Sequence, residues 1–372
     1  MFGKIPKVVA GAVFSLGFST FGTLHAAPDP NFHIYIAYGQ SNMGGTADAQ
    51  SADKVEHPRF KIFASQKCIS KGRNNLGDIY PAIPSLFNCG NTISMADWFG
   101  RTMVDSMPDV TIGIIPVAIG GASIKVFDKD QYINYMATAE TWLQNFIKEY
   151  ASDGNIHQTI VDLAKKAQEV GVIKGFIFHQ GETDGGYADW PKIVKKTRDD
   201  ILAALNMSSD TVPFVAGELL RDGCCYSDRV SKLSETMDNT YYASSEGLSG
   251  NGQDRYHFNH DAYVTFGKRY AEEMLQALRH LPEPVDTADT VGTADTVDII
   301  IDTIPQQQDD PSEEKEYSSI AKGALQSQGK VRNYAIFDLM GVRVGSVMAQ
   351  STSEALQQAR RKFKGKTTFV VK

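Results

Sequence analysis

Between residues 31 and 280 the chain alternates short apolar runs with longer stretches in which apolar residues recur at helical spacing. The runs 33–38 (HIYIAY), 111–118 (TIGIIPVA), 173–178 (IKGFIF) and 212–217 (VPFVAG) read as strands, and the first three end at glycine-containing turns. Between and after them, the periodicity predicts helices over 95–107, 139–150, 156–170, 190–205 and 261–279. Strands separated by helices imply an α/β fold with a doubly wound sheet of parallel strands, helices on both faces, and ligands at the carboxyl ends of the strands.

The pattern breaks at Leu281. Pro, Asp, Thr and Gln dominate from there to residue 316, the pentapeptide TADTV occurs at 287–291 and again at 293–297, and acidic residues repel one another along the stretch. Such a segment reads as an extended linker. Beyond it, residues 317–372 hold two apolar runs, 331–339 and 342–348, arranged as a hairpin around Met340-Gly341 and followed by a basic stretch from Arg360 to Lys366. This is expected to be a small β-rich module with an unknown partner. The run 334–346 leaves open whether it is a plain module or a sorting or surface-attachment tail.

At the other end, Lys4 and Lys7 precede an apolar, Gly-rich run from Val8 to Leu24 and then His25-Ala26-Ala27. That order predicts a secretory signal peptide over residues 1–26 and not a membrane span. The domain that follows then covers residues 27–280. With 42% hydrophobic and 22% charged residues, the chain has the composition of a globular protein with a sizeable core. A net charge of −7 gives no general attraction to nucleic acid or anionic lipid, so neutral substrates fit better.

Export would carry the four cysteines into an oxidising compartment, where Cys68, Cys89, Cys224 and Cys225 allow two disulfides in three connectivities. Cys68 with Cys89 is the first choice, while the adjacent Cys224 and Cys225 either bond to each other or pair elsewhere. No CxxC spacing or Cys/His cluster points to a metal.

Four polar clusters fall at strand ends or loops. Ser41 follows the first strand in Gly39-Gln40-Ser41-Asn42-Met43, where a serine beside glycines can be presented at the sheet opening with its own N–H available to an oxyanion. Met43 stands where G-x-S-x-G needs its second glycine, which argues against the α/β-hydrolase elbow. Ile119-Gly120-Gly121 follows the second strand and offers a backbone N–H at close approach. His179-Gln180-Gly181-Glu182-Thr183-Asp184 follows the third. Asp254-Arg255-Tyr256-His257-Phe258 lies before the last helix, with Asp254 three residues ahead of His257 and so able to aim a carboxylate at the imidazole. A serine needs such a base near neutral pH. His260 is a nearby histidine expected to be inert.

The ordered set GQSNM, Gly-Gly, HQGETD and DRYHF resembles the SGNH hydrolases, in particular the group of carbohydrate esterase family 6 acetylxylan esterases and sialate O-acetylesterases, over about residues 31–280. The resemblance implies a flavodoxin-like three-layer SGNH-hydrolase sheet. It makes Ser41 the nucleophile, His257 the base and then the acid, and the Ser41 and Gly120 N–H groups and Gln180 the oxyanion donors. The acid behind histidine stays open between Glu182 and Asp254. No metal or organic cofactor is implied. The leading expectation is a bacterial enzyme, secreted or at the cell surface, that removes acetyl groups from plant-wall xylan. A sialate O-acetylesterase is the alternative within the class, for which Lys125, Arg221 and Arg255 are available cations. A carbohydrate-binding surface protein without activity is the alternative outside it. Trp98, Trp142, Trp190 and Tyr187 are aromatics able to stack on sugar rings.

Overall fold

In the computed structural model the described residues are residue 3, residues 27–281 and three strands near the C-terminus. The expected signal peptide over residues 1–26, all but the first residue of the expected linker, and the basic stretch from Arg360 lie outside the described residues. The chain divides into two compact units, Met1–Thr290 and Val291–Lys372.

In chain order the first unit has strands β1 (Phe32–Gly39), β2 (Ala47–Asp48), β3 (Phe60–Phe63), β4 (Ile79–Pro81), β5 (Thr92–Ile93), β6 (Thr111–Ala118), β7 (Val172–His179), β8 (Phe214–Gly217) and β9 (Thr240–Ala243). Its helices are α1 (Ser41–Gly44), α2 (Met95–Ser106), α3 (Tyr132–Thr138), α4 (Thr141–Tyr150), α5 (Ile156–Gln168), α6 (Trp190–Ala204) and α7 (His260–His280). The main sheet runs β4-β3-β6-β1-β7-β8-β9, parallel except for β4 at one edge, while β2 and β5 pair separately. The segment β6-β1-β7-β8-β9 has the flavodoxin-like order, with β1 central and later strands laid down on either side.

Alternation along β1 explains the three layers. Ile34, Ile36 and Tyr38 join the core under α4, α5 and α6, whereas Tyr35 and Ala37 join the core under α2 and α7. Each such side chain, fully removed from water, contributes about 1.5–3 kcal/mol if it is a large aliphatic or aromatic one. Helix α2 is fixed at its start by a capping box in which the Ser94 hydroxyl accepts from the Ala96 N–H and the Asp97 carboxylate accepts from the Ser94 N–H.

The four strands expected from apolar runs are β1, β6, β7 and β8, and the five expected helices are α2, α4, α5, α6 and α7. Strands β3, β4 and β9 were not anticipated. They are four, three and four residues long and lie toward the two sheet edges, with polar or partly exposed positions interrupting their runs. In the second unit, β10 (Arg332–Asp338) and β11 (Arg343–Ala349) form the expected hairpin, and a third strand not anticipated, β12 (Thr368–Val371), pairs with the other edge of β10.

Register brings the chemistry to one level. Gly39 at the end of β1 pairs with Ala118 at the end of β6 and with His179 at the end of β7. The residues that follow, Gln40-Ser41, Ile119-Gly120 and Gln180, therefore leave the sheet side by side at its carboxyl edge.

Candidate active site

Ser41 is turned out of the sheet by glycines on both sides. Gly39 has φ +156 and Gly45 has φ +84, and a Cβ on either would run into backbone, at His179 and at Ile93 respectively. The short helix α1 starts at Ser41 itself. On the opposite wall, a Cβ placed on Gly120 would lie 3.7 Å from Ser41 Cβ, so the Gly120 backbone abuts the serine.

The loop before α7 brings in the histidine. Asn251 Oδ1 accepts from the N–H groups of Gln253 and Asp254, and Asp254 Oδ1 accepts from those of Tyr256 and His257. This leaves Asp254 Oδ2 facing the imidazole at 2.8 Å from His257 Nδ1, while His257 Nε2 lies 2.9 Å from Ser41 Oγ. Partial burial pushes the Asp254 carboxyl up, but hydrogen bonds from the His257 ring and from the Tyr256 and His257 amides outweigh it and hold the group well below the usual carboxylate range. At the back of this loop the Cys224 N–H donates to the Arg255 carbonyl at 3.1 Å. Cys224 and Cys225 are bonded to each other, and Cys68 to Cys89, which settles the cysteine connectivity left open by spacing.

Glu182 and Asp254 have separate partners. Glu182 Oε1 accepts from Asn42 Nδ2 at 2.6 Å and stands 3.3 Å from His179 Nε2. Burial raises the Glu182 carboxyl, yet His179 and Asn42 together bring it below its ordinary value. The carboxylate that meets His257 is Asp254, so of the two candidates left open, Glu182 does not touch the histidine.

Asn42, not singled out from the sequence, links the two halves of the site. Its Nδ2 donates to the Tyr256 carbonyl at 2.9 Å, and its Oδ1 accepts from the Phe258 N–H at 3.3 Å and the Tyr263 hydroxyl at 2.8 Å. The residue after Ser41 thus grips the chain on both sides of His257. The only signal was its place inside GQSNM, because a pairing between positions 42 and 258 leaves no local pattern.

The expectation of an oxyanion donor at Gln180 is corrected. Its Oε1 accepts from the Trp190 indole N–H at 2.5 Å, which fixes the amide orientation because that indole only donates. Its Nε2 then points inward to Asp184 Oδ2 at 2.5 Å, the Ala122 carbonyl at 3.2 Å and Gln40 Oε1 at 3.1 Å. Asp184 also accepts from the Ser123 hydroxyl and the Ile124 N–H, so the network is closed and buried. Gln40 Oε1 receives the Gly181 N–H as well, which orients the second amide and leaves its NH2 edge without an acceptor among the described residues. Gln40, and not Gln180, lines the space around Ser41.

Two recesses meet at Ser41. One, of about 390 Å³, is lined by Glu182, Thr183, Tyr256, His257 and Gly121 together with Gln40 and Ser41. The other, of about 160 Å³, is lined on its apolar side by Phe87, Ala118, Phe146 and Tyr150. None of Lys125, Arg221 and Arg255 lines either. Lys125 lies over the Tyr187 ring and Arg221 pairs with Glu218 at 2.9 Å. Of the aromatics, Trp190 is wholly buried, Trp98 donates to Asp53, and Trp142 is 59% exposed. His260 is held by Asp53 at 2.8 Å and Asp261 at 3.0 Å, away from Ser41.

A hydroxyl in line with an imidazole and a carboxylate, beside the Ser41 and Gly120 backbone N–H groups, which have no acceptor among the described residues, has the geometry for acyl transfer. Residues 31–276 match the family described as carbohydrate esterase, sialic acid-specific acetylesterase, and the chain belongs to this family of carbohydrate acetylesterases. Its substrates are accordingly acetylated glycans. Among solved structures, the chain is similar to NanS at 16% identity and a TM-score of 0.50, over 67% of this chain and 98% of that one. A protein from Arabidopsis thaliana matches at 18% identity and a TM-score of 0.49, over 67% and 99%. A carbohydrate acetylesterase from Xanthomonas citri matches at 18% identity and a TM-score of 0.47, over 67% of this chain and 56% of that one. At such identities the likeness concerns the fold. No helix among the described residues is long and apolar enough to cross a membrane.

Proposed function

We propose that the protein is a secreted acetylxylan esterase working through an acyl-enzyme, with Ser41 as nucleophile, His257 as general base and acid, and Asp254 as the acid that orients the histidine. The observation that carries this is the continuous chain Ser41 Oγ, His257 Nε2, His257 Nδ1, Asp254 Oδ2, with links of 2.9 and 2.8 Å. In this mechanism Ser41 Oγ attacks the acetyl carbonyl as its proton passes to His257. The tetrahedral oxyanion is held by the Ser41 and Gly120 N–H groups, with the Gln40 amide in the place first expected of Gln180. His257 then protonates the departing sugar oxygen, and water, activated by the same histidine, releases acetate.

A neutral sugar is supported by the larger recess, which has Glu182 and Thr183 in its lining and no Lys or Arg. A sialate would carry its carboxylate toward Glu182 with no cation among the described residues of the recess lining to meet it. The family description favours sialate as a second reading. Two disulfides support an oxidising destination, in keeping with export. The test is acetate release from acetylated xylan and from O-acetylated sialic acid by the mature protein and its Ser41→Ala variant. Release from xylan that vanishes in the variant supports the proposal, sialate-only release replaces the substrate, and release that survives Ser41→Ala overturns the mechanism.

A further inference from the structure

The direction of each substituent on a tetrahedral intermediate at Ser41 follows from the groups around it. The departing oxygen must face His257 Nε2, since that nitrogen delivers its proton, and the oxyanion must face the N–H groups of Ser41 and Gly120. The larger recess contains His257 and so receives the alcohol. The smaller recess shares Ser41, Gln40 and Gly120 with the reaction but not His257, and so receives the carbon chain of the acyl group.

That recess is larger than a methyl group requires. Its volume is about 160 Å³. An apolar cavity of about 150 Å³ is enough to bind benzene. Its apolar walls come from Phe87, Ala118, Phe146 and Tyr150, and Gly44 and Gly45 also line it. The wall is also held in place, because the Tyr150 hydroxyl donates to the Phe87 carbonyl at 2.7 Å and Cys89, two residues on, is bonded to Cys68. The space is therefore a standing part of the structure and does not depend on a ligand to open it.

We propose that this enzyme hydrolyses sugar esters of acyl groups longer than acetyl, with propionyl and butyryl chains seated among Phe87, Phe146 and Tyr150. The inference rests on Ser41 and His257 acting as proposed above. The chemistry is unchanged: the Ser41 Oγ–acyl carbon bond forms, the bond from acyl carbon to alcohol oxygen breaks, His257 passes the serine proton to that oxygen, and water then cleaves the acyl-enzyme to a short-chain carboxylic acid. No other reactant is needed.

The test compares kcat/KM for p-nitrophenyl acetate, propionate, butyrate and hexanoate in the wild-type enzyme and in Phe146→Ala and Phe146→Trp. A pocket cut to acetyl would lose about tenfold or more for each added methylene. Here butyrate is expected to stay within about tenfold of acetate, Phe146→Ala to raise the hexanoate-to-acetate ratio, and Phe146→Trp to lower the butyrate-to-acetate ratio. Acetate activity in each variant reports that it is folded, so the ratios are read on active enzyme. Cleavage of acetate with butyrate reduced about 100-fold or more overturns the inference and leaves the proposed function standing. Ratios unmoved by both Phe146 variants also overturn it. Failure to cleave any of the esters overturns both.

Discussion

Asp254 Oδ2 lies 2.8 Å from His257 Nδ1, on the side of the ring opposite the nitrogen that meets Ser41. An acceptor there selects the tautomer with the proton on Nδ1 and the lone pair aimed at the serine, and it stabilises the ring when that becomes charged. Asp254→Asn is expected to lower kcat by about three to four orders of magnitude with little change in KM. Glu182→Gln retains an oxygen for Asn42 and removes no contact to His257. It should cost about tenfold or less, the worth of one altered hydrogen bond. Steady-state kinetics of the two variants decide the assignment, and the reverse order of losses would return Glu182 to the role.

The grip of Asn42 on Tyr256 and Phe258 makes it a positioning residue. Asn42→Ala should shift the His257 loop relative to Ser41 and lower kcat by about 100-fold, the scale of a misplacement near 1 Å. It should also leave the Glu182 carboxylate buried without its amide partner, at about 1–3 kcal/mol of stability. Kinetics and denaturant titration of one preparation read both effects, and a change in neither would contradict the role.

Much of this architecture was legible before the structure. The strands β1, β6, β7 and β8 are buried on both faces or nearly so, and their apolar runs stand out for that reason. β3 and the edge strands β4 and β9 take part of their definition from neighbours distant in sequence, and a run such as Ile79–Pro81 has too few residues to show a period. In the site, Ser41 and His257 could be named because each lies in a compact cluster. Gln180 was misread because a cluster says which residues are near, whereas the direction of an amide is set by Trp190, ten residues on, and by Asp184. The roles of Asn42 and Gln40 arise from loops that meet only in the fold.

The capping carboxylate of α2 makes stability depend on pH. Burial pushes the Asp97 carboxyl up from 3.8 to about 7, and repulsion from Asp53 adds to this, against the pull of the Ser94 amide and Arg101. The folded protein therefore binds this proton more tightly than the unfolded chain. The stabilisation is complete below pH 3.8 and is lost as pH rises to about 7. Asp97→Asn cannot ionise, so thermal melts between pH 4 and 8 should show the variant gaining on the wild type as pH rises. Parallel curves would show that Asp97 is not the group responsible.

The Cys68–Cys89 bond closes a loop with a sequence separation of 21. Replacing both residues by serine should cost about 3 kcal/mol, the chain-entropy value for a loop of that size. Calorimetry checks the loss. Because Phe87 and Asn88 wall the smaller recess, the same variant should discriminate less sharply among acyl chain lengths.

The central claim is that Ser41, activated by His257, becomes the acylated residue. The most direct measurement is labelling with a fluorophosphonate, read as the mass of the modified peptide in the wild type, Ser41→Ala and His257→Ala. One label per chain on Ser41, absent in Ser41→Ala and slowed by orders of magnitude in His257→Ala, is the expected result. A label on another residue, or ester hydrolysis at the wild-type rate in Ser41→Ala, would contradict it.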